Sequence, residues 1–290
     1  LEAALACSNR GYDVTLTEAS KILGGRVTKE RKLPGLSAWG RVADYREYQL
    51  SQKPNVETYL GSPLNVDQVL EFGFENVCIA TGSSWRADGV SRQHVVPILN
   101  DNSINLYTPD DIMNDKLPTG KVVIYDDDHY YMGGVIAEKL IENGCDVTLL
   151  TPCAYVSEWS INTLEQAEIQ KRLIDMGVEI ELNRGLVSIS NSKLISNCIY
   201  TQNEKEIETD NLVMVASRKP QDQLYKDLLL KKTEWINAGI TSIKLIGDAN
   251  APGPIAWATY AGHRYARELD TEDIGDTLPF RREVTNLASN

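Results

Sequence analysis

The sequence predicts an α/β protein made of two similar three-layer, nucleotide-binding-type domains, one inserted in the other. Three observations carry that reading. Strand and helix signals alternate through most of the 290 residues, the pattern of a parallel sheet covered by helices. A helix-to-strand block near the start, Arg10-Gly-Tyr-Asp-Val-Thr-Leu-Thr, returns as Asn143-Gly-Cys-Asp-Val-Thr-Leu-Leu-Thr. Near the end, Ser242-Ile-Lys-Leu-Ile-Gly-Asp reads as a strand that closes on an acid just before a helix. The repeated block has a second explanation, convergence, because such runs are common where a helix leads into a strand.

Taken in order, Leu1 to Cys7 reads as a helix already under way, and Val14 to Thr17 as a strand ending on Glu18. That is the back half of a Rossmann-like βαβ unit. There a carboxylate accepts hydrogen bonds from a ribose 2′-OH about 20 residues past a glycine-rich loop. The first strand and glycine loop precede Leu1 in that pattern, so the expectation is a fragment cut just after its most diagnostic motif.

Asn55–Leu60 reads as a strand, and Asn65 caps a helix over Val66–Phe72. Asn76-Val-Cys-Ile-Ala-Thr-Gly reads as a fully buried strand ending in a turn. Thr108 and Pro109 supply an N-cap and a proline at the first helical position. Strands are expected at Val122–Tyr125, Val147–Thr151, Gly177–Leu182 and Asn211–Ser217. Helices are expected at Gly133–Asn143, Leu164–Met176 and Ile255–Leu269, with a meander of short strands across residues 186–209. The domain assignment is residues 1–85 plus 218–290 for the first, and 86–217 for the insert, with Trp85 and Arg218 near the two crossings.

Composition narrows the partners. A net charge of −12 argues against nucleic acid or an anionic membrane. No run of 18 apolar residues suggests a span, and a cytoplasmic protein is expected. The five cysteines (7, 78, 145, 153 and 198) lack C-x-x-C spacing and read as buried, reduced thiols. Histidines 94, 129 and 263 have no metal-ligand spacing, and neither a G-x-S-x-G elbow nor a P-loop is present.

At the Gly247-Asp248 turn a carboxylate meets a helix start, where it can bind sugar or ribityl hydroxyls while helix amides face phosphate or a flavin edge. Glu18, Gly24-Gly25-Arg26, Ala80-Thr81-Gly82 and Gly247-Asp248, in this order and spacing, resemble the flavoproteins with two dinucleotide-binding domains. Leu33-Pro-Gly-Leu-Ser-Ala-Trp, Asp44-Tyr-Arg-Glu, Ala80-Thr-Gly-Ser-Ser-Trp and Leu245-Ile-Gly-Asp-Ala-Asn-Ala-Pro narrow the resemblance. The chain is similar to the C-terminal half of the trimethylamine/dimethylamine dehydrogenase family, within the old-yellow-enzyme-like NADH:flavin oxidoreductases.

That resemblance implies FMN and a 4Fe–4S iron–sulfur cluster on a missing N-terminal half, where an amine would be oxidatively N-demethylated. Electrons would pass to an electron-transferring flavoprotein, and a homo-oligomer is expected. For the residues present it implies an ADP or FAD site and no catalytic group. Glu18 would hold the adenosine ribose, and Gly24 and Gly25 would let backbone approach the nucleotide closely. Arg26 would place positive charge near phosphate. Ala80, Thr81 and Gly82 would end the neighbouring strand beside the site, with Gly247 and Asp248 at the pyrophosphate or ribityl end.

The second copy departs from the pattern. Where an NAD(P)H site needs a glycine loop, it has Asp126-Asp-Asp-His-Tyr-Tyr-Met-Gly-Gly134. Three carboxylates and two tyrosines are expected to fill that space and repel a pyrophosphate, leaving a fold without cofactor. A metal at Asp126–Asp128 is the lesser alternative. Trp39, Arg41, Tyr45 and Tyr48 read either as loop anchors or as an aromatic docking face. The functional alternatives are an NAD(P)H-dependent flavin reductase of the 2,4-dienoyl-CoA reductase type, and a non-catalytic module with a decayed nucleotide site.

Overall fold

The computed structural model describes residues 1–271. The strands are β1 (Val14–Glu18), β2 (Val56–Leu60), β3 (Asn76–Ile79), β4 (Ser83–Trp85), β5 (Leu99–Asn100), β6 (Asn105–Tyr107), β7 (Lys121–Asp126) and β8 (Asp146–Leu150). They continue with β9 (Glu179–Glu181), β10 (Arg184–Ser190), β11 (Lys193–Cys198), β12 (Glu204–Glu208), β13 (Asn211–Val215), β14 (Arg218–Pro220) and β15 (Ser242–Leu245). The helices are α1 (Glu2–Asn9), α2 (Val27–Glu30), α3 (Arg41–Ser51), α4 (Val66–Phe72), α5 (Pro109–Met113), α6 (Met132–Glu142), α7 (Gln166–Asp175), α8 (Gln223–Leu230) and α9 (Ile255–Glu268).

The middle of the chain is built on a parallel sheet ordered β6-β13-β7-β8-β9. Successive side chains of a strand point to opposite faces, so a buried strand must be apolar on both. β7 obeys this. Val122 and Ile124 pack with α5, α6 and α7 residues such as Ile112, Ile136 and Leu173. Val123 and Tyr125 face the other way, onto Leu186, Ile189 and Leu194 of the β12-β11-β10-β5 sheet. The result is three layers: helices, parallel sheet and a small mixed sheet. Thr108 and Asp111 form a capping box at α5 with Pro109 at the helix start, satisfying N–H groups that have no partner within the helix.

The flanking segments form two parallel pairs, β1–β2 and β3–β15. Helix α1 packs against α9 and α3; a Cβ added at Gly262 would come within 2.9 Å of Ala3 N, so the α1–α9 crossing depends on that glycine. β4 and β14 run side by side, antiparallel, pairing Trp85 with Arg218. The carboxylate of Asp110, in the first turn of α5, accepts the N–H of Trp85 at 2.8 Å.

Some expectations need correction. β3 is not fully buried: only Ile79 is, because among the described residues the strand is paired on one side only, with β15. The helix expected from Leu164 begins at Gln166, since Leu164 itself adopts the left-handed region (φ 64°) after a 3-10 turn over Glu158–Thr163. Cys78, Cys153 and Cys198 are half-buried rather than buried; all five cysteines are free thiols. Trp39 packs against the helix-side core and edge-on to Tyr131, whereas Tyr45 and Tyr48 project outward from α3, so these three aromatic residues do not share one surface. The expected first domain includes residues 272–290, which lie outside the described residues.

Candidate functional site

The structure gathers one group of predicted site residues around Asp248. Backbone turns at Gly24 (φ 109°) and Gly25 (φ 58°) deliver Arg26 to the start of α2. Its Nε lies 2.9 Å from Asp248 Oδ2, its Nη2 donates to the carbonyl of Gly253 at 2.7 Å, and its Nη1 bonds to Glu30. Arg218, on β14, brings Nη1 to the same Asp248 oxygen at 2.9 Å and donates from Nη2 to Gly253 O at 3.0 Å. Ser83 donates to Asp248 Oδ2 at 3.2 Å, and Gly253 N donates to Oδ1 at 3.2 Å. The Arg218 guanidinium lies 5.4 Å over the Trp85 ring.

The cluster is neutral on balance: Asp248 and the fully buried Glu30 oppose two arginines. Both Asp248 oxygens are taken up by protein donors, so this carboxylate braces Arg26 and Arg218. Burial pulls Arg218 below its ordinary value, with Arg26 adding to the shift and Asp248 opposing it.

The remaining candidates stand apart. Glu18 ends β1, half-buried, and one of its carboxylate oxygens accepts the N–H of Ser20 at 2.8 Å. Thr81 bonds to the carbonyl of Gln221, and Gly82 accepts the N–H of Gln221 at 2.9 Å, so this turn is tied to the chain after β14. Ala80 is exposed beside it. The two turn glycines differ. A Cβ at Gly24 would meet Ala43 and Thr28 at 2.9 Å, so its smallness serves packing; at Gly25, as at Gly82, a Cβ would meet nothing within 4 Å. Gly247 (φ 59°) makes the turn that carries Asp248. Gly25 and Gly82 thus leave open backbone, and Glu18 leaves a carboxylate at the end of β1.

The acidic loop of the middle unit does not work as the sequence suggested. Asp126 and Asp127 are turned inward and have no exposure. Asp126 Oδ1 accepts the N–H groups of Asp128 and His129 at 3.1 and 3.0 Å, and Oδ2 has no partner. A Cβ on Gly133 would lie 2.4 Å from that oxygen, so the carboxyl group occupies the N-terminal turn of α6. Burial raises Asp126 to about 7. A single inward-turned carboxyl group fills this turn, in place of the three mutually repelling carboxylates that the sequence suggested. Among the described residues no group of three or more acids, histidines or cysteines could hold a metal ion.

Asp128 is raised by burial too, and the opposing influences are Arg218, Arg92, His129 and Arg26. It therefore sits in the field of the arginine brace. Sequence reasoning missed Arg218 as the second partner of Asp248, and with it His129 and Cys153, which pair inside the acidic loop.

Comparison with known proteins gives the class first. Residues 107–211 match the family model described as the OYE-like second alpha/beta domain. More particularly, the chain is homologous over 97% of its length to dimethylamine dehydrogenase of Hyphomicrobium sp. (strain x), at 33% identity. Among solved structures, histamine dehydrogenase from Rhizobium sp. 4-9 superposes with a TM-score of 0.97 at 60% identity over 99% of the chain. The 6-hydroxypseudooxynicotine amine oxidase of Pseudomonas geniculata N1 gives 0.89 at 39% identity over 93%. The chain spans 42%, 45% and 40% of these three proteins respectively. Among the described residues no helix is long and apolar enough to cross a membrane.

Proposed function

We propose that this chain is the nucleotide-binding half of a flavoprotein amine dehydrogenase. The observation that carries the reading is the 60% identity to histamine dehydrogenase across nearly the whole chain. In this reading residues 1–85 plus 218–290 bind ADP or FAD, and residues 86–217 form an insert without cofactor. Pairing of Trp85 with Arg218 supports that division. Glu18 orients the sugar, and Gly25 and Gly82 let backbone approach the phosphates. Arg26, braced by Asp248, supplies a fixed local charge.

FMN and a 4Fe–4S cluster belong, in the same proposal, to the part of the parent outside this chain, together with the amine site. When bound there, the flavin accepts the electrons of amine oxidation, and an electron-transferring flavoprotein removes them. The parent is a homo-oligomer in this reading. Histamine is the first substrate to test, ahead of dimethylamine and trimethylamine, because identity is higher to the histamine enzyme than to the dimethylamine one.

The test is anaerobic titration of the full-length protein with each amine and with NADPH, following flavin absorbance. Bleaching by an amine and not by NADPH is expected; rapid bleaching by NADPH would sink both the amine reading and the cofactor-free insert. Denaturing the protein and identifying the released nucleotide separates ADP from FAD, and finding none favours a decayed module.

A further inference from the structure

Beside the arginine brace lies a second set of aligned groups that the proposed function does not use. Cys153, in the loop after β8, has its Sγ 3.1 Å from His129 Nδ1, and His129 Nε2 lies 2.8 Å from Asp127 Oδ1. The other oxygen of Asp127 accepts the N–H of Gln93 at 2.9 Å. His129 is held in the left-handed region (φ 65°), with its N–H on Asp126 and its carbonyl accepting from Trp159 at 2.9 Å. The loop carrying Cys153 is fixed as well, by Asn183 N donating to its carbonyl at 3.0 Å. A non-glycine residue kept in this conformation by several independent contacts is a strained arrangement, of the kind found where side-chain placement matters.

The Asp127 carboxylate close to Nε2 favours hydrogen on that nitrogen. That leaves the Nδ1 lone pair directed at the thiol, which is the arrangement of a nucleophile, a base and an orienting acid. We propose that Cys153 is an oxidisable nucleophilic thiol, with His129 as its base and Asp127 as the positioning residue, and that the reactant is a small neutral hydroperoxide. The inference does not depend on the amine-dehydrogenase reading.

The surroundings select the reactant. Glu158 and Asp127 bear on the thiol, a field that disfavours anionic oxidants and acidic disulfides. Burial, then the Glu158 carboxylate, push the thiol up to about 12, so the resting sulfur is protonated and its proton must leave during attack. In the step, Cys153 Sγ attacks one peroxide oxygen; the S–O bond forms as the O–O bond breaks. His129 Nδ1 takes the thiol proton and passes it to the departing hydroxide, which leaves as water. Sulfur is oxidised to sulfenic acid and the peroxide is reduced.

The experiment treats the full-length protein with hydrogen peroxide in the presence of dimedone and quantifies adducts at each cysteine by peptide mass spectrometry. Cys153 is expected to label, with the rate falling at least tenfold in His129→Gly, a residue suited to the left-handed backbone. Added imidazole should restore that rate, which a merely structural role of His129 would not allow. Asp127→Asn should slow labelling of Cys153 without abolishing it. Labelling of the half-exposed Cys198 should be unchanged in all variants. Labelling of Cys153 no faster than that of buried Cys145, an unchanged rate in His129→Gly, or failure of imidazole rescue would each overturn the proposal.

Discussion

Two aspartates lie at strand ends in this chain, and they are kept in opposite ways. Asp248, after β15, is neutralised by Arg26 and Arg218 and has donors on both oxygens. Asp126, at the end of β7, has backbone donors on one oxygen only and none on the other. An ion in low dielectric must be paired or discharged; the first aspartate is paired, and burial holds the second at about 7, well above the ordinary carboxylate range. The same residue type at the same kind of strand end thus yields a fixed charge in one unit and a titrating plug in the other.

The largest test of that contrast removes a partner of the fixed charge. Arg218→Ala strips a buried cation from Asp248 and should lower unfolding free energy by about 3–5 kcal/mol, read by chemical denaturation of the full-length protein. A loss below about 1 kcal/mol would mean that Arg26 alone suffices and that the brace is not a unit.

Next comes Asp126→Asn, with the opposite sign. The unfolded carboxyl releases its proton near its ordinary value of about 3.9, whereas the folded one keeps it to about 7. The penalty on the folded state therefore grows between these pH values and is complete above the upper one. The variant should be more stable at pH 8 by on the order of 2 kcal/mol and should lose that slope between pH 4 and 7. Equal stability at pH 8 would show that the carboxyl is accommodated as an ion.

The nucleotide assignment sharpens the comparison further. Glu18→Ala should weaken nucleotide retention about tenfold, roughly 1.4 kcal/mol, and Asp126→Ala should leave it unchanged when bound nucleotide is measured after gel filtration. Equal effects would reverse the roles given to the two units. The smallest effect is expected at Gly25→Ala: about 1 kcal/mol of stability from the left-handed backbone alone, since no atom opposes the added methyl. A thermal shift clearly beyond that would reveal packing not visible around Gly25.

Much of this architecture was legible because strong local signals agreed with the tertiary outcome. Helix α4 runs over the residues expected from its Asn65 cap, whose capping box with Gln68 forms. β7, β8 and β13 carry apolar runs and were readable as strands. Helix α3 was missed since its sequence is mostly polar and buries only Ala43 and Leu50, which leaves too faint an apolar stripe to find. Leu164 misled for the converse reason: an apolar residue beside a helix lies 91% exposed in a turn.

At the site, Arg26 and Asp248 were found as residues at turn and strand ends, but their meeting was not. Arg218 approaches Asp248 from β14, a contact that no spacing rule encodes. His129 and Cys153 escaped because histidines and cysteines were screened for metal spacing, although His129 standing two residues from Asp127 was an available signal. The direction of Asp126 was also unreadable, since facing inward depends on the space above Gly133.

The ladder between β4 and β14 has a topological consequence. Trp85 and Arg218 are antiparallel neighbours, so the long excursion between them starts and ends at the same point. A two-residue turn of the hairpin type spans such a gap. In the geometry of the backbone, the intervening sheet and its helices are a bracketed clause whose two brackets stand side by side.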